Sequence, residues 1–509
     1  MRFRMPFGAR ATLVAVLALL TFVPAAMAVD EVNTKKLREN VTVNGILAHE
    51  RALQRIANNN GGTRASGTPG YAASVTYVKN RLKNAGYKVS EQKFDFPFFQ
   101  ETAAPELERV SPDPKTFTTA TFEYSGPGDV TAKAQPVDVI VPIDPNSAPS
   151  TSNSGCEASD FAGFTAGNVA LMQRGTCTFS VKAANAQAAG ASGAIIFNEG
   201  QPGRTELLAG TLGGPDFSIP VLGLSYADGA ELVENTRAGD TVVHVFAQTF
   251  SEVRSTSNVI ADTKKGDAAK TVVVGAHLDS VIEGPGINDN GSGTSTILEI
   301  AEELSEAGTK PRQKLRFAFW GAEESGLLGS THYVAQLSDD ELGQLYANLN
   351  FDMLGSPNYV RFVYDGDGSD TPVAGPNGSG QIEDIFTQYF ASQGLESEPT
   401  EFSGRSDYGP FIAVGIPAGG LFSGAEGVKT AEQQAVYGGT AGVAYDACYH
   451  QACDTINNLS TKALFEMGDA AAHATLTLAR TKSGFFEDGS RRGKVRQRAL
   501  TYSGSHAQR

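Results

Sequence analysis

The sequence predicts an α/β fold in which helices cover a mostly parallel sheet. Three observations support this prediction. In the C-terminal half, apolar strand-like runs at 271–276, 314–319 and 349–351 alternate with helical stripes at 297–304 and 327–337. A helix–helix–strand pattern opens the chain, and a stretch of different composition separates it from that half. Such alternation of strands and helices is typical of a parallel sheet.

The N-terminal part is expected to form two helices and a strand. The first helical pattern covers 29–60, where the Asn and Gly run 58–62 ends it. Pro69 begins a second helical stretch, which closes at 85–86. Residues 87–96 alternate between apolar and polar positions, as a half-buried strand does.

The middle of the chain, residues 126–250, is predicted to be an inserted non-catalytic domain. A helix of small residues is expected at 181–189. The predicted strands are short and bounded by turns: 137–141, 168–172, 193–197, 219–222 and 241–246. None of the residues that we assign to chemistry lies in this stretch. The flanking parts, 29–125 and 251–485, are expected to form one discontinuous catalytic domain.

The first 28 residues have the pattern of a secretory signal peptide. Three arginines accompany the apolar run 11–23, and Ala26-Met27-Ala28 provides a cleavage signal. The apolar run is shorter than the ~20 residues that a membrane-spanning helix needs. We therefore expect a secreted protein that is not bound to a membrane. The basic stretch 486–509 lacks apolar periodicity and is expected to be a disordered tail.

Composition and charge narrow the possible functions. A chain of 509 residues is long enough for two domains. Its formal net charge of −15 argues against nucleic-acid binding, which needs a basic face. A monomer is expected. The 4 cysteines agree with export, and local pairing as Cys156–Cys177 and Cys448–Cys453 is the simplest of the three possible connectivities.

Histidine and acidic residues recur through the C-terminal half, and His277, Glu323, Glu324 and Asp352 stand at or shortly after predicted strands. In chain order they are His277, Asp279, Asp289, Glu323, Glu324, Asp352 and His450. Ligands of parallel sheets gather at the carboxyl ends of the strands. Zinc accepts imidazole and carboxylate, and two zinc ions can share one carboxylate. Asp279 could accept the N–H of His277, and Glu323 would remain free to act as a base.

The joint pattern resembles the zinc aminopeptidases of peptidase family M28, especially the secreted bacterial leucine-type enzymes. The matching blocks are 276–280, 288–293, 321–330, 350–353, 404–411 and 448–454. They cover most of 251–485, and 64–67 fits the family's N-terminal part. The stretch 126–250 resembles a protease-associated (PA) domain. The resemblance implies a three-layer αβα zinc-peptidase fold with a mostly parallel central sheet and an inserted β-rich PA domain.

The resemblance also implies a role for each site residue. One zinc ion would be held by His277 and Asp352. The other would be held by Glu324 and His450. Asp289 would bridge the two ions, and the peptide bond after it, to Asn290, would be cis. Glu323 would be the general base that acts on the bridging water, and Tyr449 would donate a hydrogen bond to the oxyanion.

Substrate selection follows from the same resemblance. Peptide or protein N-termini are the expected substrates. Arg405 would hold the substrate backbone, while Met353, Gly404 and Phe422 would line the pocket for the first side chain. These positions suggest hydrophobic N-terminal residues such as Leu, Phe or Met. A calcium ion at the acidic turn 365–370 is conceivable, but the sequence does not support it because the turn lacks the Glu of a calcium loop.

Three competing functions remain at this point. A carboxypeptidase of the same superfamily would use Arg405 to hold a terminal carboxylate. A glutaminyl-cyclase-like transferase would use the same fold with a single zinc ion. A non-catalytic binding protein would keep the fold without turnover, but such proteins typically lose metal ligands. The intact set of ligand residues favours the two-metal aminopeptidase.

Overall fold

The structure is a computed structural model that describes residues 31–482. The predicted signal peptide (1–28) and tail (486–509) lie outside the described residues. A 3₁₀ helix spans Ala158–Phe161 and a π-helical segment spans Ile287–Ser292. The α-helices are α1 (Lys35–Asn40), α2 (Val43–Asn58), α3 (Pro69–Asn84), α4 (Phe179–Ala188), α5 (Tyr226–Ala238), α6 (Gly293–Glu306), α7 (Leu328–Ala335), α8 (Asp339–Gln344), α9 (Ser379–Ser392), α10 (Gly409–Ala413), α11 (Ala431–Tyr437) and α12 (Thr461–Arg480).

The strands belong to two units that are connected by long strands. They are β1 (Lys88–Ser111), β2 (Lys115–Phe117), β3 (Ala120–Thr121), β4 (Gly128–Pro136), β5 (Val169–Gln173), β6 (Gly193–Phe197), β7 (Val221–Leu224), β8 (Val242–Asp262), β9 (Asp267–His277), β10 (Gln313–Trp320), β11 (Leu345–Asp352), β12 (Phe362–Tyr364), β13 (Glu398–Thr400) and β14 (Ala418–Phe422).

The sheet of the larger unit is mostly parallel, as the sequence predicts. Strand β9 lies between β10 and β11 and is parallel to both. Strand β14 is parallel to β11, and β13 is parallel to β12. The antiparallel pairs are β8 with β10 and β12 with β14. The carboxyl ends of β9, β10, β11 and β14 therefore meet at one edge of the sheet.

Helices cover both faces of this sheet, which gives the three layers. The side chains of Val272 and Val274 belong to the core formed with α2, α3, α6, α9 and α12. Val273 belongs instead to the core formed with α7, α8 and α10. Successive side chains of a strand point to opposite faces, so β9 is buried on both sides. This burial explains why its sequence is a continuous apolar run.

The inserted unit has a smaller sheet of its own. Strands β4, β5, β6 and β7 pair in parallel, with β3 antiparallel to β7. Helix α4 packs on one side of it and α5 on the other. Its core also includes Leu107 of β1 and Phe117 of β2. The strand-rich unit is thus a compact α/β layer structure attached to the larger one.

Two long antiparallel strands, β1 and β8, join the two units. They pair from Lys88 with Asp262 at one end to Ser111 with Val242 at the other. Near the larger unit, Phe94, Phe96 and Phe98 of β1 form a small core with Ala322, which precedes Glu323 in the chain. The sequence signalled only the ends of these strands, at 87–96 and 241–246, because no residue is buried in their middle stretches, 99–106 and 250–255.

Two predicted elements differ from the structure. The expected strand at 137–141 is wrong, since the strand β4 ends just before it. Val137 is nonetheless buried, and its N–H donates to the carbonyl of Leu171 at 3.0 Å, so its apolar character reflects core packing. The helix expected over 29–60 is interrupted, because Val41 is extended and the Thr42 side chain caps α2 by accepting from the N–H of Gly45.

Both predicted disulfides are present. Cys156 pairs with Cys177, and Cys448 pairs with Cys453. Within residues 31–482, no helix has the length and apolar character needed to cross a bilayer.

Arg64 fixes the loop that follows β9. Its side chain is fully buried, and it donates to the main-chain carbonyls of Leu278, Pro285 (2.8 Å) and Gly286 (2.5 Å). These carbonyls lie in the stretch between His277 and Asp289. The N-terminal part of the chain therefore shapes a loop whose ends both lead to the candidate site.

We expect Arg64→Ala to lower the free energy of unfolding by at least about 3 kcal/mol, because three buried carbonyls lose their donors. Urea unfolding followed by circular dichroism measures this. The matched control is Arg51→Ala, at an exposed position of α2, which should change the stability by less than about 0.5 kcal/mol. Equal effects of the two substitutions would contradict the role of Arg64.

Candidate active site

The strands of the parallel sheet place four of the predicted residues together. His277 ends β9 and Asp352 ends β11, while Glu323 and Glu324 follow the end of β10. Because these strands are parallel neighbours, their last residues meet at the same edge of the sheet. All four side chains are buried or nearly so.

Loops supply the two remaining ligand candidates. Asp289 lies in the π-helical segment Ile287–Ser292, before α6, and its peptide bond to Asn290 is cis, as expected. His450 lies between the disulfide-bonded Cys448 and Cys453. The structure therefore brings together residues that are far apart in the sequence.

The donor atoms form two triplets that share Asp289. His277 Nε2 lies 3.2 Å from Asp289 Oδ1 and 3.3 Å from Asp352 Oδ1. His450 Nε2 lies 3.3 Å from Asp289 Oδ2 and 3.0 Å from Glu324 Oε2. One oxygen of Asp289 thus belongs to each triplet. This is the arrangement expected of a carboxylate that bridges two cations.

The residues fit zinc in both spacing and chemistry. Ligand atoms at about 2.0–2.1 Å from a tetrahedral zinc ion lie about 3.3–3.4 Å from one another, close to the observed separations. Glu324 Oε1 and Asp352 Oδ1 are buried and have no hydrogen-bond partner among the described residues. A buried carboxylate oxygen without a donor is costly, and a cation would satisfy it.

The electrostatics of the site also favour cations. Burial raises the pKa of Glu323 well above its ordinary value, and the Glu324 carboxylate adds to this rise. Burial acts to lower the pKa of His450, but Glu324 and Asp289 outweigh it and raise that pKa to about 10. The pKa of His277 is likewise raised, against the effect of burial, by Glu323 and Asp352. Several carboxylates are thus crowded into a volume with little water.

Asp279 contacts His277 in a way that differs from the expectation. The Nδ1 of His277 bonds to the main-chain carbonyl of Asp279 at 3.2 Å, whereas the Asp279 carboxylate is 3.6 Å away. That carboxylate instead accepts from the N–H of Glu323 at 3.3 Å. Because the Asp279 carbonyl holds Nδ1 of His277, the other ring nitrogen, Nε2, faces the carboxylates. The imidazole is thus oriented as a metal ligand would be.

Three supporting residues were not predicted from the sequence. Ser406 donates to Asp352 Oδ2 at 2.5 Å, and the Asp454 carboxylate accepts from the N–H groups of Asn288 (2.9 Å) and Asp289 (3.0 Å). Both lie inside the matching blocks 404–411 and 448–454, which could have pointed to them. The third is Glu426, whose carboxylate accepts from Arg405. It lies outside every block, and no sequence signal indicated it.

The donor atoms open into a cavity of about 310 Å³, which we call the catalytic cavity. Its lining includes the predicted Met353, Arg405 and Phe422. Further apolar wall is provided by Phe362 and Tyr364, among others. The fourth predicted pocket residue, Gly404, lines a neighbouring cavity instead.

Arg405 and Tyr449 meet at the rim of the catalytic cavity. Arg405 Nη1 donates to Glu426 Oε1 at 2.7 Å, and its Nη2 lies 3.4 Å from the hydroxyl of Tyr449. The Tyr449 ring stacks on the His450 imidazole, with ring centroids 3.8 Å apart. The hydroxyl of Tyr449 is thereby fixed between the second triplet and the guanidinium.

The acidic turn 365–370, where the sequence alone does not support calcium, lies next to Glu383 of α9. The Asp365 carboxylate accepts hydrogen bonds from the main-chain N–H groups of residues 368–371. The turn is therefore closed by its own backbone. The carboxylates of Asp365, Asp367 and Glu383 each offer an oxygen within 4.8 Å of the others, and of the three only Asp367 is exposed.

Comparison with known proteins gives relatives over most of the chain. The sequence model of Peptidase family M28 matches residues 258–475, and that of the PA domain matches 138–232. An aminopeptidase of Pseudomonas aeruginosa strain UCBPP-PA14 is 49% identical over 433 residues, which are 84% of this chain and 79% of the relative. Leucine aminopeptidase 2 of Arthroderma otae is 40% identical, over 89% of this chain and 88% of the relative.

Solved structures agree with this relationship. An aminopeptidase from Aneurinibacillus sp. strain AM-1 has a TM-score of 0.67 and 27% identity, over 92% of this chain and 99% of that chain. A zinc aminopeptidase from Bacillus subtilis has a TM-score of 0.58 and 25% identity, over 87% of this chain and 96% of that chain. The chain therefore belongs to peptidase family M28, as an aminopeptidase that carries a PA domain.

Proposed function

We propose that this enzyme hydrolyses the N-terminal bond of peptides with two zinc ions, and that it prefers large apolar first residues. The observation that carries the proposal is the pair of triplets that share Asp289. His277 and Asp352 would hold one ion, and His450 and Glu324 the other. When bound, zinc supplies Lewis acidity, which polarises the scissile carbonyl and makes water more acidic.

Glu323 is proposed as the general base. Its Oε2 lies 3.9 Å from His277 Nε2, farther than the carboxylates of the first triplet, so it is beside the ligand set. Glu323 would take a proton from the attacking water and pass it to the leaving amine. Bound zinc ions would oppose the rise that burial causes in the pKa of Glu323, so its position beside the triplets is what suits it to this role.

Tyr449 is proposed to stabilise the oxyanion. Burial raises the pKa of its hydroxyl well above the ordinary value, so the group stays protonated and can donate. Its ring is held against His450, which fixes the direction of the O–H. A donor that is oriented before the reaction stabilises charge that develops in the transition state.

The charges of the catalytic cavity favour a free α-amine over a free carboxylate. The carboxylates of Glu323 and Asp352 can accept from an ammonium group. The one arginine among the described residues lining the cavity, Arg405, is already paired with Glu426 at 2.7 Å. Glu426 already supplies a carboxylate to Nη1 of Arg405, which leaves the Nη2 side to hydrogen-bond a neutral backbone carbonyl of the substrate. This pairing argues against a carboxypeptidase.

The apolar part of the cavity supports the preference for large hydrophobic first residues. Met353 and Phe422 line it, as expected, and the Phe362 ring stacks on Phe422 with centroids 6.0 Å apart. Burial of an apolar side chain against such walls would contribute roughly 1.5–3 kcal/mol.

A one-zinc transferase and a non-catalytic binding protein fit the geometry of the site less well. The transferase needs one triplet, whereas two are formed. The binding protein has no need of a free base beside them.

Export and a monomeric state are also part of the proposal. The two disulfides support export, since such bonds persist in oxidising compartments.

The first experiment compares Leu-p-nitroanilide with N-acetyl-Leu-p-nitroanilide, with and without a zinc chelator. We expect cleavage of the free-amine substrate alone, because the acidic cavity receives an ammonium group. The chelator should abolish it, and added zinc should restore it. Equal cleavage of both substrates, or turnover that resists the chelator, would overturn the proposal.

For the base, we expect Glu323→Ala to lower kcat by about 10²–10⁴-fold while the zinc content is unchanged. The zinc content should not change, because Glu323 lies beside the two triplets and belongs to neither of them. Elemental analysis of the purified variant measures the zinc. Glu283→Ala removes an exposed carboxylate and serves as the control with normal kcat. Normal turnover of the Glu323 variant would refute the assignment.

Arg405→Ala should raise KM roughly 10- to 100-fold, since a charged hydrogen bond to the substrate backbone is lost. Steady-state kinetics on Leu-p-nitroanilide would show this, with Arg51→Ala as the exposed control. An unchanged KM would remove Arg405 from the binding site.

A further inference from the structure

A second cavity of about 470 Å³ lies beside the catalytic cavity. Its walls are mainly apolar, with Leu327, Val373, Phe402, Pro410 and Ile412 among them. No charged side chain occurs among the described residues that line it. A cavity of this size and lining is suited to an apolar group rather than an ion.

The two cavities are neighbours that share a wall. Ser403 lines both of them. Tyr364 and Tyr408 line the catalytic cavity, and Phe402 lines the second one. The Phe402 ring lies 5.2 Å from that of Tyr364 and 4.9 Å from that of Tyr408, measured between centroids. Two rings in contact, Phe402 on one side and a tyrosine on the other, therefore separate the cavities.

The second cavity also touches the loop of the proposed base. The N–H of Leu327 donates to the main-chain carbonyl of Glu323 at 2.8 Å. Glu323 must reach the leaving amine in order to protonate it. The peptide beyond the scissile bond therefore begins next to the loop 323–327, which borders the catalytic cavity at Glu323 and the second cavity at Leu327.

The spacing of an extended peptide fits this arrangement. Side chains two residues apart lie on the same side of the chain, about 6.6–6.8 Å from each other. This spacing exceeds the 4.9–5.2 Å that separates the ring centroids across the shared wall. A substrate with its first side chain in the catalytic cavity can thus place a later side chain in the second cavity.

We propose that the second cavity binds an apolar side chain of the substrate, one or two residues beyond the scissile bond. The inference depends on the proposed aminopeptidase function and deepens it. It adds a preference for the residues of the leaving peptide to the preference for the first residue. Discrimination comes from burial of apolar surface, since the described lining offers no charge.

Two substitutions that fill the cavity test the proposal. Thr331→Phe on α7 and Ala413→Phe on α10 each add a ring at a half-buried position of the lining. Ala335→Phe adds the same ring at an exposed position of α7 and is the control. The substrates are leucinamide, Leu-Gly, Leu-Phe, Leu-Gly-Gly and Leu-Gly-Phe. Leucinamide has no residue beyond the bond and reports the basal activity.

In the unaltered enzyme, we expect kcat/KM to be roughly 10- to 100-fold higher when Phe replaces Gly at the responsible position. The dipeptide and tripeptide pairs show which position that is. Both filling variants should reduce the preference for Phe to below about 3-fold, while their hydrolysis of leucinamide stays within about 2-fold of normal. The control variant should keep the full preference for Phe.

Two results would overturn the inference. One is the absence of a Phe preference in both pairs with the unaltered enzyme. The other is a preference that survives in both filling variants, provided that leucinamide turnover shows them to be folded. Failure to hydrolyse leucinamide in the unaltered enzyme would count against the proposed function itself. The two kinds of failure are therefore distinguishable.

Discussion

The Asp289 carboxylate is the group on which the rest of the site depends. Each of its oxygens faces one imidazole, that of His277 at 3.2 Å and that of His450 at 3.3 Å. Its position is fixed from behind, because the Asp454 carboxylate accepts the N–H groups of residues 288 and 289. Without this arrangement the two triplets would be separate clusters. With it, they form one centre in which two dications can share a carboxylate.

The crowding of buried carboxylates at the site would link metal binding to the stability of the fold. Buried carboxylates repel one another, and burial raises the pKa of Glu323 and of Glu324. Groups that stay uncompensated in the interior oppose folding. A cation that binds only the folded state stabilises it. Relief of this crowding by a bound cation would therefore couple metal binding to the stability of the fold.

Much of the fold and site could be predicted from the sequence, and the reasons are physical. Strand β9 is buried on both faces, so its apolar run stands out, and His277 marks its end. The family blocks supplied the rest of the ligand set. The long strands β1 and β8 were only partly recognised, because their middle stretches, 99–106 and 250–255, contain no buried residue. The Asp279 carbonyl could not be foreseen either, since the sequence specifies a side chain and not which of its atoms faces the imidazole. The second cavity depends on packing between distant loops, which leaves no local pattern.

The two-stranded ribbon of β1 and β8 has a mechanical consequence. Between residues 248 and 258, β8 pairs with β1 alone among the described strands, and such a ribbon resists stretching far more than twisting. One end of the ribbon is anchored in the inserted unit, and near the other end Phe94, Phe96 and Phe98 press on Ala322. A displacement of the inserted unit along the ribbon would thus reach the residue before Glu323, whereas a rotation of that unit would be absorbed by twisting of the two strands. The ribbon would therefore couple the two units along its length and leave them free to rotate.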